Sequence, residues 1–519
     1  MRFSRFQNCM AKPPRLLILA TAAASAMLGP ALVRAQDAGA VRGSGLVPSL
    51  VVSESYTRGN GVIGGAESGE FVTRVSPGLR WSGRSGRVRG DVNYALDAIH
   101  YSKRTDATEV TNRLNANVQA EAIEQFAFVD LQANIGQSAI SATGQQFAFD
   151  DFGGDANRTE VANVQISPYI IGELGGFATY QVRLGAGFTR ARDVPSADSD
   201  TRSALVSLSS PRSAGQLGWG LSAQRQDLSF RDGRDTTTDR VSGSVSWRPD
   251  VDWRFFLTAG QERTNIGNII SRTYDNYGGG LNWSPSPRTR VALQAERRYF
   301  GNSYSASFEH RTPRTVWRYS DSRDATTGGD PNGFGQPVTL FDLFFLQFAS
   351  NFPDPVQREA AVRDFLRLLG RDPNELLNIG ALVNAASVQR RQELSAAWSG
   401  LRTTVTVQAS ATELQVLDNP ADPSAPPVIG TGNSRQRGLT ASVSYRLTPR
   451  ATATASATYQ TSPSGTQFGS NSLQGISFGL NTTVSRTARL NMSARYSDYT
   501  SGTDPYQETA LTAALSLSF

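Results

Sequence analysis

The chain has 519 residues, of which only 39% are hydrophobic, with 48 glycines and a mean hydropathy of -0.33. The 51 basic residues barely exceed the 45 acidic ones, so charge gives no argument for a nucleic-acid partner. Cys9 is the one cysteine, which excludes a disulfide framework and, beyond that position, a cysteine nucleophile or zinc thiolate.

Residues 1–15 carry Arg2, Arg5, Lys12 and Arg15 without an acid, and the apolar run "LLILATAAASAMLGPAL" follows, closing on "VRA" before Gln36. This pattern predicts a secretory signal peptide cleaved after Ala35. Gly29 and Pro30 interrupt the run and disfavour a transmembrane anchor. Cys9 lies inside the signal, so the mature chain has no thiol, and no cysteine follows the cleavage site to carry a lipid. Residues 36–46 then form a short periplasmic segment.

From residue 47 to 519, segments of about ten residues alternate in polarity, the signature of a transmembrane β-barrel. In "RVRGDVNYALDA" Val88, Gly90, Val92, Tyr94 and Leu96 alternate with Arg89, Asp91, Asn93 and Asp97. "DRVSGSVSW" and "LTASVSYRL" repeat the pattern, with valine and aromatic residues set against serine and threonine. Trp81, Tyr94, Trp247, Trp283 and Tyr445 fall towards segment ends, as interfacial girdles require. Only every second strand residue meets lipid, so the low average hydropathy and the lack of a long apolar helix after the signal are what a barrel predicts.

Short turns such as "SGRSGR" (82–87), "GELGG" (172–176), "RPDVD" (248–252) and "TPRA" (448–451) alternate with longer polar loops, for example 139–157 and 416–436. Short turns at one rim and long loops at the other is the bacterial outer-membrane arrangement, periplasmic and extracellular respectively. The fold class is thus all-β, an antiparallel transmembrane barrel of about 22 strands. Strand one (47–56) and the pair 304–310 and 315–321 are its weakest members. Arg89, Asp91, Asn93 and Asp97, with Arg290, Glu296 and Arg298, are the candidate lumen-facing residues. They either line a hydrated passage or brace the wall through ion pairs.

Residues 323–388 break the rhythm. "TLFDLFFLQFA" is nearly all apolar, and "NFPDPVQREAAVRDFLRLLGRDP" reads as a helix with Asp354 as N-cap, Pro355 in the first turn, and Gly370 and Pro373 as the stop. Val362, Phe365, Leu366 and Leu369 make its apolar stripe, and Glu359 is placed to pair with Arg363 one turn on. The count of strands puts this helical insertion on the extracellular rim, as a packed cap that buries its Phe-rich half against itself or the rim, or as a lid or constriction folded into the barrel mouth.

No catalytic constellation emerges. Beyond the signal the histidines are His100 and His310, far apart in the chain, and two histidines do not make a typical zinc site. Serine is too abundant for any pairing with them to be informative. "GTGNSRQRG" (430–438) lacks the strand-to-helix context of a phosphate loop, and "GDPNGFGQP" (329–337) reads as a turn cluster before a calcium loop. No enzyme, cofactor or metal is expected.

At the C-terminus, "ALTAALSLSF" sets Leu511, Ala513, Leu515, Leu517 and Phe519 on one face against Thr512, Ala514, Ser516 and Ser518. A strand ending in an aromatic residue at the periplasmic rim is similar to the signal by which the barrel-assembly machinery recognises its clients. Leu515, Leu517 and Phe519 are accordingly the candidate assembly signal, and the last strand closes on the first.

"NRTEVANVQISPYIIGELGGFATYQVRL" (157–184), "FDLFFLQFASNFPDPVQREAAVRDFL" (341–366) and "VTNRLNANVQAEAIEQFAFVDLQANIGQSAIS" (110–141) resemble the PEP-CTERM system-associated outer-membrane protein family. The resemblance implies an outer-membrane barrel from bacteria with exosortase-type sorting and exopolysaccharide gene clusters, and it brings no site residues. The expectation is a monomeric barrel in outer-membrane lipid that serves exopolysaccharide or surface-protein export, as a passage or as a docking component for periplasmic export machinery. A closed structural or adhesive barrel is the alternative. A nutrient-uptake porin or receptor is less expected: strand number alone favours a TonB-dependent receptor, and residues 36–46 are too few for its plug domain.

Overall fold

The computed structural model describes residues 45–60, 69–83, 86–103, 108–140, 157–211, 215–268, 270–326, 386–417, 433–463, 470–501 and 505–519, with 341, 344, 345, 348, 358, 359 and 361–363 between them. The segment read as a signal peptide lies outside the described residues. The described residues belong to one unit, Gly43–Phe519.

The strands are β1 (Gly45–Asn60), β2 (Glu70–Gly83), β3 (Val88–Tyr101), β4 (Glu109–Ile123), β5 (Ala127–Ala139), β6 (Arg158–Leu174) and β7 (Ala178–Ala191). They continue as β8 (Ser199–Ser209), β9 (Leu217–Phe230), β10 (Thr236–Trp247), β11 (Trp253–Thr264), β12 (Arg272–Ser286), β13 (Thr289–Arg298), β14 (Gly301–Arg311) and β15 (Thr315–Thr326). The last are β16 (Ser387–Ser399), β17 (Thr403–Val416), β18 (Ser434–Thr448), β19 (Ala451–Ser462), β20 (Asn471–Thr483), β21 (Ala488–Thr500) and β22 (Tyr506–Ser518). Each pairs antiparallel with its neighbours in sequence, and β22 pairs with β1 from Ser49↔Ser518 to Asn60↔Gln507. The result is a closed barrel of 22 strands with no open backbone edge, which is what a sheet needs to span lipid. The Phe519 N–H, donating to the Pro48 carbonyl at 3.0 Å, extends the closing seam by one bond.

The pair read as weak from sequence forms the full strands β14 and β15. Residues 323–326 complete β15 and 387–388 open β16, so the insertion is shorter at both ends than the sequence reading placed it. One short turn, 124–126, escapes a search for glycine and proline. There Gln125 takes the left-handed conformation (φ 54°) that glycine usually supplies.

Residues directly opposite each other share a face, so the outside of the wall can be followed from strand to strand. Leu515 opposes Val52, Val52 opposes Val75, Val75 opposes Ala98 and Ala98 opposes Val110. This face carries the exposed large apolar residues, including Leu257 at 72%, Phe478 at 61% and Leu511 at 57% exposure. Near the short-turn rim it ends in aromatic residues. Trp253 stacks on Phe255 and Trp283 at 5.5 and 5.3 Å between centroids, Trp247 on Phe255 at 5.9 Å, and Phe177 packs on Trp219 at 5.4 Å. An apolar band with an aromatic girdle is the outer surface of a membrane-spanning barrel.

Towards the long-loop rim the same outer face turns charged. Arg190 pairs with Asp200 at 2.6 Å, Arg225 with Asp227 at 3.0 Å, Arg390 with Asp321 at 2.9 Å and Arg435 with Glu413 at 2.8 Å. Tyr94, read from sequence as a strand-end aromatic, instead sits mid-strand. Its hydroxyl donates to Asn112 Oδ1 at 2.9 Å, and Asn112 in turn bonds Glu160, so Tyr94 links the apolar band to the charged zone.

Candidate functional site

The inner face of the barrel is where the sequence and the fold converge on function, and residues from the insertion lie in it. Phe341, Phe344, Phe345 and Phe348 are helical, at the i, i+3, i+4, i+7 spacing of one helix face. Phe344 and Val362 are fully buried in a cluster with Val316 of β15 and Ala397 of β16, and Phe341, Phe345 and Phe348 pack against it. Val316 and Ala397 oppose each other beside the short turns that follow Arg311 and Ser399. These residues therefore lie inside the barrel towards the short-turn end, whereas β15 ends at the long-loop rim.

The described part of the insertion is thus an internal element, and the expectation of a cap on the long-loop rim does not hold for it. Its apolar face has buried itself against the wall, where Val316 and Ala397 offer small apolar partners on an otherwise polar surface. Val362, named from sequence as part of the stripe, is at this contact; Phe365, Leu366 and Leu369 lie outside the described residues. The Glu359–Arg363 pair forms at 3.0 Å, one helical turn apart.

Arg363 makes the more informative contact. Its Nη2 donates to Asp91 Oδ1 at 2.8 Å, and Asp91 lies on β3, nearly opposite β15 and β16 around the ring. Side-chain exposures of 16% for Arg363 and 26% for Asp91 leave the pair poorly screened. Phe341 lies under the Arg363 guanidinium, with its centroid 5.1 Å away. The insertion is held to one wall by apolar burial and to the far wall by an ion pair.

The other residues named from sequence fall into two groups on the inner face. Asp97 is braced by Ser76 and by Arg113 at 2.7 Å. Glu296 accepts from Arg240 and from Asn276 at 2.8 Å. Arg298 pairs with Glu262 at 2.5 Å and Asp324 at 2.7 Å, with Glu262 fully buried. These three serve as wall braces, since buried charges persist only with such partners. Arg290 opposes Glu309 near the short-turn rim. Arg89 and Asn93 belong with Asp91 to a different surface.

That surface is a block of carboxamides on β3 to β6. Asn93 opposes Asn115, Asn115 opposes Asn134, and Asn134 opposes Asn163, an unbroken row of asparagine across four strands. The next row towards the short turns runs Asp91, Asn117, Gln132, Gln165. Below it Arg89 opposes Gln119 and Gln119 opposes Asp130. Gln119 donates to Asp130 at 3.1 Å and to the Tyr169 hydroxyl at 2.8 Å. Arg183 binds Asp130 at 2.8 Å and covers the Tyr169 ring at 4.0 Å, while Phe128 stacks on the same ring at 5.2 Å.

Elsewhere the inner wall is built differently. On β17 to β20 it carries Thr406, Ser442, Ser456 and Ser477, which bond one another in pairs, Thr406 to Ser442 and Ser456 to Ser477 at 2.6 Å. On β9 and β10 Ser222 pairs with Ser242 at 2.9 Å. Those six hydroxyls are satisfied within the wall. The carboxamides of Asn93, Asn115, Asn117, Gln132 and Asn134 reach further and make no side-chain hydrogen bond to another described residue.

Among the described residues no group of three or more His, Cys, Asp and Glu is arranged to hold a metal. His100 contacts Thr108 at 3.5 Å, whereas His310 contacts Thr289 at 2.9 Å and stacks on Phe308.

No protein-family model matches the chain, and no curated protein matches it in sequence. Solved structures similar to it include the siderophore receptor PirA from Pseudomonas aeruginosa, at 12% identity and a TM-score of 0.44, covering 91% of this chain and 80% of that one. The FrpB iron transporter from Neisseria meningitidis is similar at 12% identity and a TM-score of 0.47, covering 91% and 82%. OccK2 (OpdF) from Pseudomonas aeruginosa, in complex with glucuronate, matches at 11% identity and a TM-score of 0.34, covering 91% and 98%. The likeness is one of barrel fold.

Sequence reasoning missed the asparagine rows and the helical phenylalanines. The second had a visible signal, the 341, 344, 345, 348 spacing. The first had only polar residues on alternate positions of four strands, which become a surface once register is known.

Proposed function

We propose that this protein is a non-enzymatic outer-membrane passage for a polar surface polymer, constricted inside by the described insertion residues between Phe341 and Arg363. The observation that carries the reading is the span of the insertion, from the Phe344–Val362 cluster on β15 and β16 to the Arg363–Asp91 pair on β3. An element that crosses the interior at the short-turn end stands in the way of anything moving through. The short-turn rim is taken as periplasmic and the charged outer zone as extracellular. After removal of residues 1–35 the chain acts as a monomer in outer-membrane lipid. Its resemblance to the PEP-CTERM system-associated family supports export of exopolysaccharide or surface protein, with periplasmic machinery docking at the short turns.

Single-channel conductance in a planar bilayer tests this, comparing the chain with a version lacking 327–385. Low or rare conductance that becomes large on removal of the insertion is the expected result. Silence from both forms, with insertion verified by heat-modifiable migration, would overturn the passage. It would favour a second reading, a closed structural or adhesive barrel, for which the fully buried Glu262 and Glu508 on the inner wall already speak.

A further inference from the structure

We infer that the carboxamide rows of β3 to β6 are a binding track for an uncharged or weakly charged polyhydroxylated polymer, a glycan in chemical class. The inference deepens the passage reading by naming what the wall holds, and rests on it only for the direction in which the polymer moves.

Each carboxamide offers a donor and an acceptor without net charge. A hydroxyl also offers both, so a polyol can satisfy either end of Asn93, Asn115, Asn117, Gln132 and Asn134. Neighbouring strands set the side chains about 4.8 Å apart across a row, and same-face residues along a strand lie about 6.7 Å apart, a grid on the scale of sugar rings. On β17 and β18 the short hydroxyls Thr406 and Ser442 close on one another. Here Asn115 and Asn134 stand opposed with no such bond.

A peptide is the competing occupant and is disfavoured by the same surface. Peptide grooves take side chains in apolar pockets or pair backbone at a sheet edge, whereas the two carboxamide rows contain no apolar residue and the sheet has no free edge. The stacked Phe128 and Tyr169 below the rows supply a flat apolar element of the kind a sugar face packs on. Arg363 bonds Asp91 within the second row, so its guanidinium occupies one end of the track.

The test is equilibrium binding to the purified full chain in detergent, by calorimetry, with maltohexaose, oligogalacturonate of equal length, polyethylene glycol and an unstructured Gly/Ser peptide as probes. Maltohexaose is expected to bind, and polyethylene glycol and the peptide are not. The double variant Asn115→Ala/Asn134→Ala is expected to weaken maltohexaose binding by about tenfold or more, since several hydrogen bonds are lost at once. Ser456→Ala on β19, outside the rows, should leave it unchanged, with heat-modifiable migration retained by both variants. Equal loss in the two variants, binding of the peptide in preference to the sugars, or no binding of either saccharide would overturn the track. Because the assay needs no current, binding by a chain silent in bilayers would uphold the track and reject the passage. Conduction by a chain that binds no saccharide would do the reverse.

Discussion

Removing the charge of Asp91 isolates the far-wall anchor of the insertion without touching its apolar contact. The Asp91→Asn variant keeps the size and an acceptor but loses the charge facing Arg363 Nη2 at 2.8 Å. The pair is largely shielded, at 16% and 26% side-chain exposure, and Arg363 retains Glu359 at 3.0 Å. The loss then falls between an exposed ion pair and a buried charge-assisted bond, about 1–2 kcal/mol. That shifts a closed–open equilibrium of the insertion by about 5- to 30-fold towards open. Single-channel recording reads the shift as a rise in open probability, with Asp91→Glu expected to return most of it. If Asp91→Asn leaves open probability unchanged while deletion of 327–385 raises it, the anchor contributes nothing to closure and the two-wall account is wrong.

Phe344→Ala should undock the insertion from β15 and β16, because truncating a buried phenylalanine costs about 3–5 kcal/mol; the checks are a larger rise in open probability than Asp91→Asn gives and proteolytic nicking between 327 and 385 in the folded barrel. Phe519 is 71% exposed, so Phe519→Ala, which keeps the backbone bond to Pro48, should change barrel stability by less than about 0.5 kcal/mol in refolding from urea yet abolish assembly in cells; equal loss in both assays would make it a structural residue instead of an assembly signal. Glu508 joins β22 to both neighbours, accepting from Thr57 at 2.8 Å and Arg495 at 3.0 Å, and its carboxylate is fully buried. Glu508→Ala should therefore lower unfolding stability by about 3 kcal/mol, read as an earlier urea midpoint, whereas exposed Asp200→Ala should move it by less than about 1 kcal/mol.

The strand number was legible because alternation and turn chemistry are local. Each stretch such as "LTASVSYRL" declares its own two faces, and a wall needs only that declaration repeated. What the alternation leaves open is the partner: Asn93 and Asn115 are equally polar at any register, and only pairing of Asn93 with Asn115 and Asn134 with Asn163 turns them into one row. Asp97, Glu296 and Arg298 were readable as inward, but their role as braces depended on Arg113, Arg240 and Glu262, residues on other strands. The insertion misled for a physical reason. A helix with a phenylalanine stripe needs an apolar partner, and sequence alone does not reveal that Val316 and Ala397, each an ordinary small residue in its own strand, come together inside the barrel near the far rim.

The two features of the interior constrain each other. An element anchored only on β15 and β16 would leave the rest of the cross-section clear, and an ion pair on β3 alone would not hold a chain that enters from the opposite wall. With both contacts made, the bridge ends on Asp91, in a carboxamide row that continues through Asn117, Gln132 and Gln165 away from the bridge. A polymer lying on those rows therefore competes with Arg363 for the hydrogen-bonding edge of the same surface. Occupation of the track would weaken the anchor, and weakening the anchor would expose more of the track, so polymer binding and opening are thermodynamically linked. The linkage has a stated sign: maltohexaose should raise open probability in the unaltered chain and have less effect in Asp91→Asn, where the anchor is already lost.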